Sequence, residues 1–204
     1  MALVGRFDRR ERVDLAVAWA VLGVAFALFV GGPGVVADPP RAAWLLGLCL
    51  VTAGVGFLGH ELAHKLVAER LGRRAAFRAD YQMLLVAVLT ALVGVLVAAP
   101  GAVVHRGPPD ERQVGLVAVA GPLVNLGLLG VFGVLAVTPW PVVAVVGTFG
   151  VWINALLAAF NLLPVGPLDG RSVWRYHRGV YLAVAVPAGL AAATALGWVG
   201  AIPV

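Results

Sequence analysis

AAWLLGLCLVTAGVGFLGHELAH, residues 42–64, starts as an uncharged run long enough to cross a bilayer and ends in His60-Glu61-Leu62-Ala63-His64. An α-helix puts residues four apart on one face, so two imidazoles can converge on one Zn²⁺ while the intervening glutamate reaches the water at the open position. A metal-ligand motif used in zinc hydrolases therefore sits within a stretch that reads as a membrane helix.

The rest of the chain has the same character. Of its 204 residues 61% are hydrophobic and 12% charged, and the mean hydropathy is +0.97, far outside the soluble range. At about 20 residues per crossing the chain holds five or six spans and no sizeable soluble domain. The single cysteine, Cys49, lies in an apolar run and reads as a packing residue, so no disulfide framework is expected. The net charge of +5 does not point to nucleic acid, because the basic residues are scattered in short loops beside apolar runs, where they act as topology signals. The charged start, Arg6 to Asp14, precedes an apolar stretch from Leu15 to about Val36. Val35-Val36-Ala37 would suit signal cleavage, but the run exceeds a usual signal core and is read as an uncleaved first span.

The spans are expected at about 15–36, 42–67, 114–137, 141–164 and 179–200, and the block 82–104 decides the topology. If that block crosses, Arg6, Arg9, Arg10, Arg12, Lys65, Arg70, Arg73, Arg74 and Arg78 lie inside, against Arg41, Arg106, Arg112, Arg171, Arg175 and Arg178 outside, 9 to 6. If it dips in and returns, only Arg41 stays outside, 14 to 1. The positive-inside rule favours the second, and Thr90, Gly94, Pro100 and Gly101 suit a broken helix. The expected fold is an all-α polytopic membrane protein with five transmembrane helices plus a re-entrant, partly strand-like hairpin at 82–104, six helices being the alternative. One membrane domain fills residues 1–204, with no PDZ or CBS domain expected.

Catalytic zinc takes three protein ligands and keeps one position for water. Asp169 is the candidate third ligand. It follows an apolar segment and a Pro/Gly turn, Pro164-Val165-Gly166-Pro167-Leu168-Asp169-Gly170, and the re-entrant topology puts it on the same side as His60 and His64.

Three elements in order, His60-Glu61-Leu62-Ala63-His64, Ala120-Gly121-Pro122-Leu123-Val124-Asn125, and Asn161-Leu162-Leu163-Pro164 through Leu168-Asp169-Gly170, resemble the site-2 proteases, a family of intramembrane zinc metalloproteases. The resemblance covers roughly residues 42–178. It implies one zinc per chain on His60, His64 and Asp169, Glu61 as catalytic base, and Asn161 in contact with the substrate backbone. Pro100-Gly101-Ala102-Val103-Val104 is similar to the family's extended segment after the motif helix. The apolar run 81–99 is longer than usual there.

These residues define the expected chemistry: Glu61 moves the proton of the attacking water, and Asn161, with Asn125 or backbone amides, donates to the oxyanion. An interhelical hydrogen bond is an equal reading of Asn125. Asn154 reads as packing, His105 and His177 as loop histidines, and Gly127, Gly130 and Gly133 as close-packing positions. Trp44, Trp140, Trp174 and Trp198 fit an interfacial belt. The expected partners are a transmembrane protein substrate and the lipid bilayer of the cell membrane, with the site toward the cytoplasmic side. The substrate helix must unwind to expose its peptide bonds, and residues 99–104 can accept it by edge pairing. A metal transporter or a non-hydrolytic zinc-binding membrane protein is the rival reading. The inactive-scaffold reading is disfavoured, because a structural zinc site has no need of Glu61.

Overall fold

The structure, a computed structural model, describes residues 7–105 and 110–197; Arg6, Arg106 and Trp198 lie outside the described residues. Helix starts follow side-chain chemistry. Asp8, Asp38, Asp80 and Asp110 each accept a backbone N–H of the following turn, satisfying donors that a helix end leaves free. They open α1 (Arg9–Gly31), α2 (Pro39–Arg70), α3 (Tyr81–Leu92) and α4 (Glu111–Ala136). Pro141 begins α5 (Pro141–Asn161) at a position where its missing N–H costs nothing. His177 caps α7 (Arg178–Leu196) through Nδ1, which accepts from the Val180 amide at 3.2 Å. The short α6 (Asp169–Tyr176) lies between α5 and α7.

Helices α1, α2, α4, α5 and α7 are long and apolar enough to cross a membrane, at 23, 32, 26, 21 and 19 residues. The chain is thus an all-α polytopic membrane protein with a small two-stranded sheet. Boundaries differ from the sequence reading at several ends. Helix α1 extends back to Arg9 and stops at Gly31, where a 3₁₀ turn, Pro33–Ala37, replaces the expected continuation. Helix α2 closes at Gly72, which has φ +78°, and the Arg73 and Gly72 amides return to the Ala68 and Glu69 carbonyls, a Schellman arrangement.

The block 82–104 is not a sixth span. Helix α3 has 12 residues, about 18 Å of rise against the roughly 30 Å of a hydrocarbon core. Past Gly94 the chain returns as β2 (Gly101–His105), antiparallel to β1 (Ala75–Ala79), with Ala79 opposite Gly101 and the Asp80 amide bonded to the Pro100 carbonyl. Both ends of the hairpin therefore meet at one place. Strand β1 was not foreseen from the sequence.

One apolar cluster joins α1, α2 and α5 through Phe26, Leu45, Leu48, Phe149 and Ile153, and another joins α4 to α7 through Ala118, Ala158, Leu162, Val173 and Ala188. Val51, Leu89, Val134 and Leu190 are exposed, as lipid-facing residues of a polytopic protein are. The glycine reading is corrected: a Cβ at Gly127, Gly130 or Gly133 would meet nothing, whereas one at Gly147 would strike the α4 backbone at Leu135 and Ala136. Gly147→Ala is expected to cost about 1–3 kcal/mol and Gly130→Ala to be near neutral, read as thermal unfolding midpoints in detergent.

Candidate metal centre

Helix α2 carries His60 and His64 one turn apart, and both rings face α4. Their Nε2 atoms lie 2.9 Å from each other and 3.1 and 3.3 Å from Oδ2 of Asp169. Asp169 is the first residue of α6. It reaches the histidines because the chain reverses after α5 through Gly166 (φ +57°), a left-handed position suited to glycine. Gly170 lets α6 press on the end of α5, since a Cβ there would strike the Leu162 carbonyl. The Tyr181 hydroxyl donates to that same carbonyl at 3.0 Å.

The opposite ring nitrogens decide what the cluster can bind. Nδ1 of His60 lies 2.7 Å from Asn125 Oδ1, and Nδ1 of His64 lies 2.7 Å from the Val117 carbonyl. Both partners only accept, so both Nδ1 atoms carry the proton in neutral imidazole and both Nε2 atoms present lone pairs. Two lone pairs and a carboxylate oxygen then crowd a buried point, and they repel unless a cation lies among them. The donor set, two imidazole nitrogens and one carboxylate oxygen, fits Zn²⁺ with a position left open. Outer hydrogen bonds of this kind fix ligand orientation.

Asn125 is fully buried, and both of its N–H groups are spent, on the Gly56 carbonyl at 3.1 Å and Asn154 Oδ1 at 3.0 Å. It therefore orients His60 and has no donor left for an oxyanion. Asn154 also differs from its packing reading: it takes that bond from Asn125 and donates to the Gly150 carbonyl at 2.9 Å. A polar residue in the middle of an apolar helix was the signal for this role. Gly121 supplies room, because a Cβ there would lie 2.6 Å from Nε2 of both histidines.

Glu61 is buried, and its Oε2 has no hydrogen-bond partner. It faces a cavity of about 680 Å³ shared with His60, His64 and Asp169. Asn161 lies on the wall of the cavity as the last residue of α5, and one of its N–H groups donates to the Leu157 carbonyl at 3.0 Å. Gly101, Ala102 and Val103 of β2 line the same space, whose other walls include Phe26 and Phe57. Of the two histidines read as loop residues, His105 is instead the last residue of β2, paired with Ala75, and His177 is an exposed helix cap.

Several known proteins bearing the name "Putative zinc metalloprotease" are similar to this chain. That of Methanocaldococcus jannaschii is 34% identical over 186 residues, 89% of this chain and 92% of the relative. Rip3 of Mycobacterium tuberculosis is 34% identical over 177 residues, 79% of this chain. The aligned part is 41% of Rip3, so the chain spans about two-fifths of that relative. YwhC of Bacillus subtilis is 33% identical over 146 residues, 62% of this chain and 67% of the relative. No family model and no solved structure matches the chain.

Removing the Asn125 carbonyl frees the His60 ring to turn. Asn125→Ala is expected to weaken zinc binding by about 10- to 100-fold with helicity unchanged, measured by competition with a chromophoric chelator. Gly121→Ala should abolish stoichiometric zinc in the same assay.

Proposed function

The chain belongs to the site-2 protease family of zinc metalloproteases, and on that premise we propose that it is an intramembrane endopeptidase that hydrolyses peptide bonds within or near transmembrane segments of other proteins. The observation that carries this reading is the buried Glu61 carboxylate, its Oε2 without a hydrogen-bond partner, in the same cavity as the His60, His64 and Asp169 cluster. A site that only stored or conducted a metal ion would have no use for a base held out of hydrogen bonds beside it.

His60, His64 and Asp169 would hold one Zn²⁺, which when bound supplies a Lewis acid and lowers the pKa of water to about 7. Glu61 takes the proton of the attacking water and returns it to the leaving amine, the double role of a general base and acid. Asn161 lines the cavity, and the amide N–H not bonded to Leu157 donates to the substrate carbonyl as negative charge develops there. The apolar walls admit a hydrophobic segment and limit water to what the polar residues recruit.

The substrate segment is received as a third strand. In an antiparallel pair, opposed residues turn their N–H and C=O groups either both inward or both outward. The Phe77 amide points outward, to Glu11, so its opposite residue Val103 turns its own N–H and C=O toward the cavity side. An unwound peptide can pair there through its backbone, with little demand on its side chains. The site opens toward the cytoplasmic face of the cell membrane, the face on which basic loop residues collect.

Purified wild type and Glu61→Gln are expected to hold equal zinc, near one per chain, while cleavage of a single-span substrate falls by about 10²- to 10⁴-fold in the variant. Equal cleavage by both would remove Glu61 from the reaction. Asn161→Ala should lower kcat by about 10²- to 10³-fold. Val103→Pro, which deletes an outward N–H, should impair cleavage with zinc retained; full activity would count against strand pairing.

A further inference from the structure

The sheet beside the active site has two edges, and the outer edge of β1 is already occupied by side chains. Lys65, the residue after His64, donates from Nζ to the Ala75 carbonyl at 2.8 Å. Glu11 of α1 accepts the Phe77 amide on Oε1 at 2.9 Å, and its Oε2 lies 3.0 Å from Lys65 Nζ. One donor and one acceptor thus meet alternate backbone groups of β1, as a neighbouring strand would. The pair is sealed, each side chain being 1% exposed, and Glu69 adds a second carboxylate to Lys65 at 3.0 Å. A buried ion pair of this kind is costly to assemble and gains little stability over apolar packing.

Two further acidic residues, Asp8 at the cap of α1 and Asp14 within it, stand three residues to either side of Glu11 and grip the following segment. Asp8 Oδ2 accepts from Arg78 Nη2 at 2.7 Å, a bond that holds the Asp8 carboxyl below the usual carboxylate pKa. Asp14 Oδ1 accepts from the Tyr81 hydroxyl at 2.7 Å. Asp8, Glu11 and Asp14 therefore hold residues 77, 78 and 81, the entry to the hairpin, against the first span.

We propose that the Glu11–Lys65 pair is a positioning device for proteolysis: it closes the β1 edge with side chains, ties the sheet to the zinc-bearing helix, and leaves the β2 edge as the place where a substrate strand can add. The inference rests on the protease reading. Lys65 carries the linkage because it belongs to the same helical turn as His64, so the height of β2 over the metal centre is set through α2. An exposed edge is a general pairing hazard, and here one edge is closed and the other faces the cavity.

The test is steady-state cleavage of a single-span substrate by Glu11→Ala and Glu11→Gln, with zinc measured on the same samples. Glu11→Ala is expected to raise KM by about tenfold or more, the effect of one charged hydrogen bond, with zinc at the wild-type level. Glu11→Gln keeps an acceptor for Phe77 and should recover most of the loss. Should Glu11→Ala not accumulate, Arg78→Gln combined with Tyr81→Phe cuts the two other links to the hairpin entry, one exposed and one half-buried, and should raise KM by about twofold to fivefold. Unchanged KM in these variants overturns the proposal while leaving the protease reading intact. Loss of zinc in step with cleavage also overturns it, since the pair would then act on the motif helix and not on the sheet. A wild-type chain that cleaves nothing fails the protease reading itself, and the positioning role falls with it.

Discussion

Two carbonyl oxygens, those of Asn125 and Val117, claim the Nδ1 protons of His60 and His64, and the metal centre follows from that claim. With the protons held on the far side of each ring, the near side offers lone pairs 2.9 Å apart beside a carboxylate. The cluster is therefore built to need a cation. Helix α4 presents both carbonyls, which explains why Gly121 sits between them: only a residue without a side chain lets the α2 imidazoles approach so closely.

The apolar surroundings raise the stakes of each polar contact. A buried donor or acceptor without a partner costs far more in a dry interior than in water. Asn125 and Asn154 are accordingly bonded through α2, α4 and α5. Glu61 differs from these asparagines, with Oε2 left open beside the cavity. That open oxygen, next to a cluster that calls for a metal ion, is the feature on which the proposed catalysis rests. The same economy governs the Glu11–Lys65 junction, where charges inside the protein are matched to each other and to the backbone of β1.

Much of this was legible in the sequence because it is local. Apolar length gives the five spans, and the i, i+4 spacing gives the histidine pair. The Pro/Gly turn before Asp169 marks the place where the chain comes back, and the charge count rejects a sixth span. What was missed depends on distant partners. Strand β1 pairs with a segment on the far side of α3, and its stretch of mixed arginine and alanine carries no alternating pattern. Lys65 and Glu69 stand at the charged end of α2, and their burial in the fold cannot be read from local spacing. Asn154 read as packing, since its partner lies on another helix. Spacing alone also could not distinguish glycines that face open space, such as Gly130, from Gly147, which meets a neighbouring backbone.

The central claim is that α2 and α6 form a three-ligand zinc centre with an open position. Zinc K-edge absorption fine structure on the purified chain tests it most directly. Two imidazole ligands and oxygen ligands at about 2.0–2.2 Å in a four-coordinate site are expected, with one imidazole lost in His64→Ala. A spectrum of hydrated zinc without imidazole scattering, or one unchanged by His64→Ala, would contradict it.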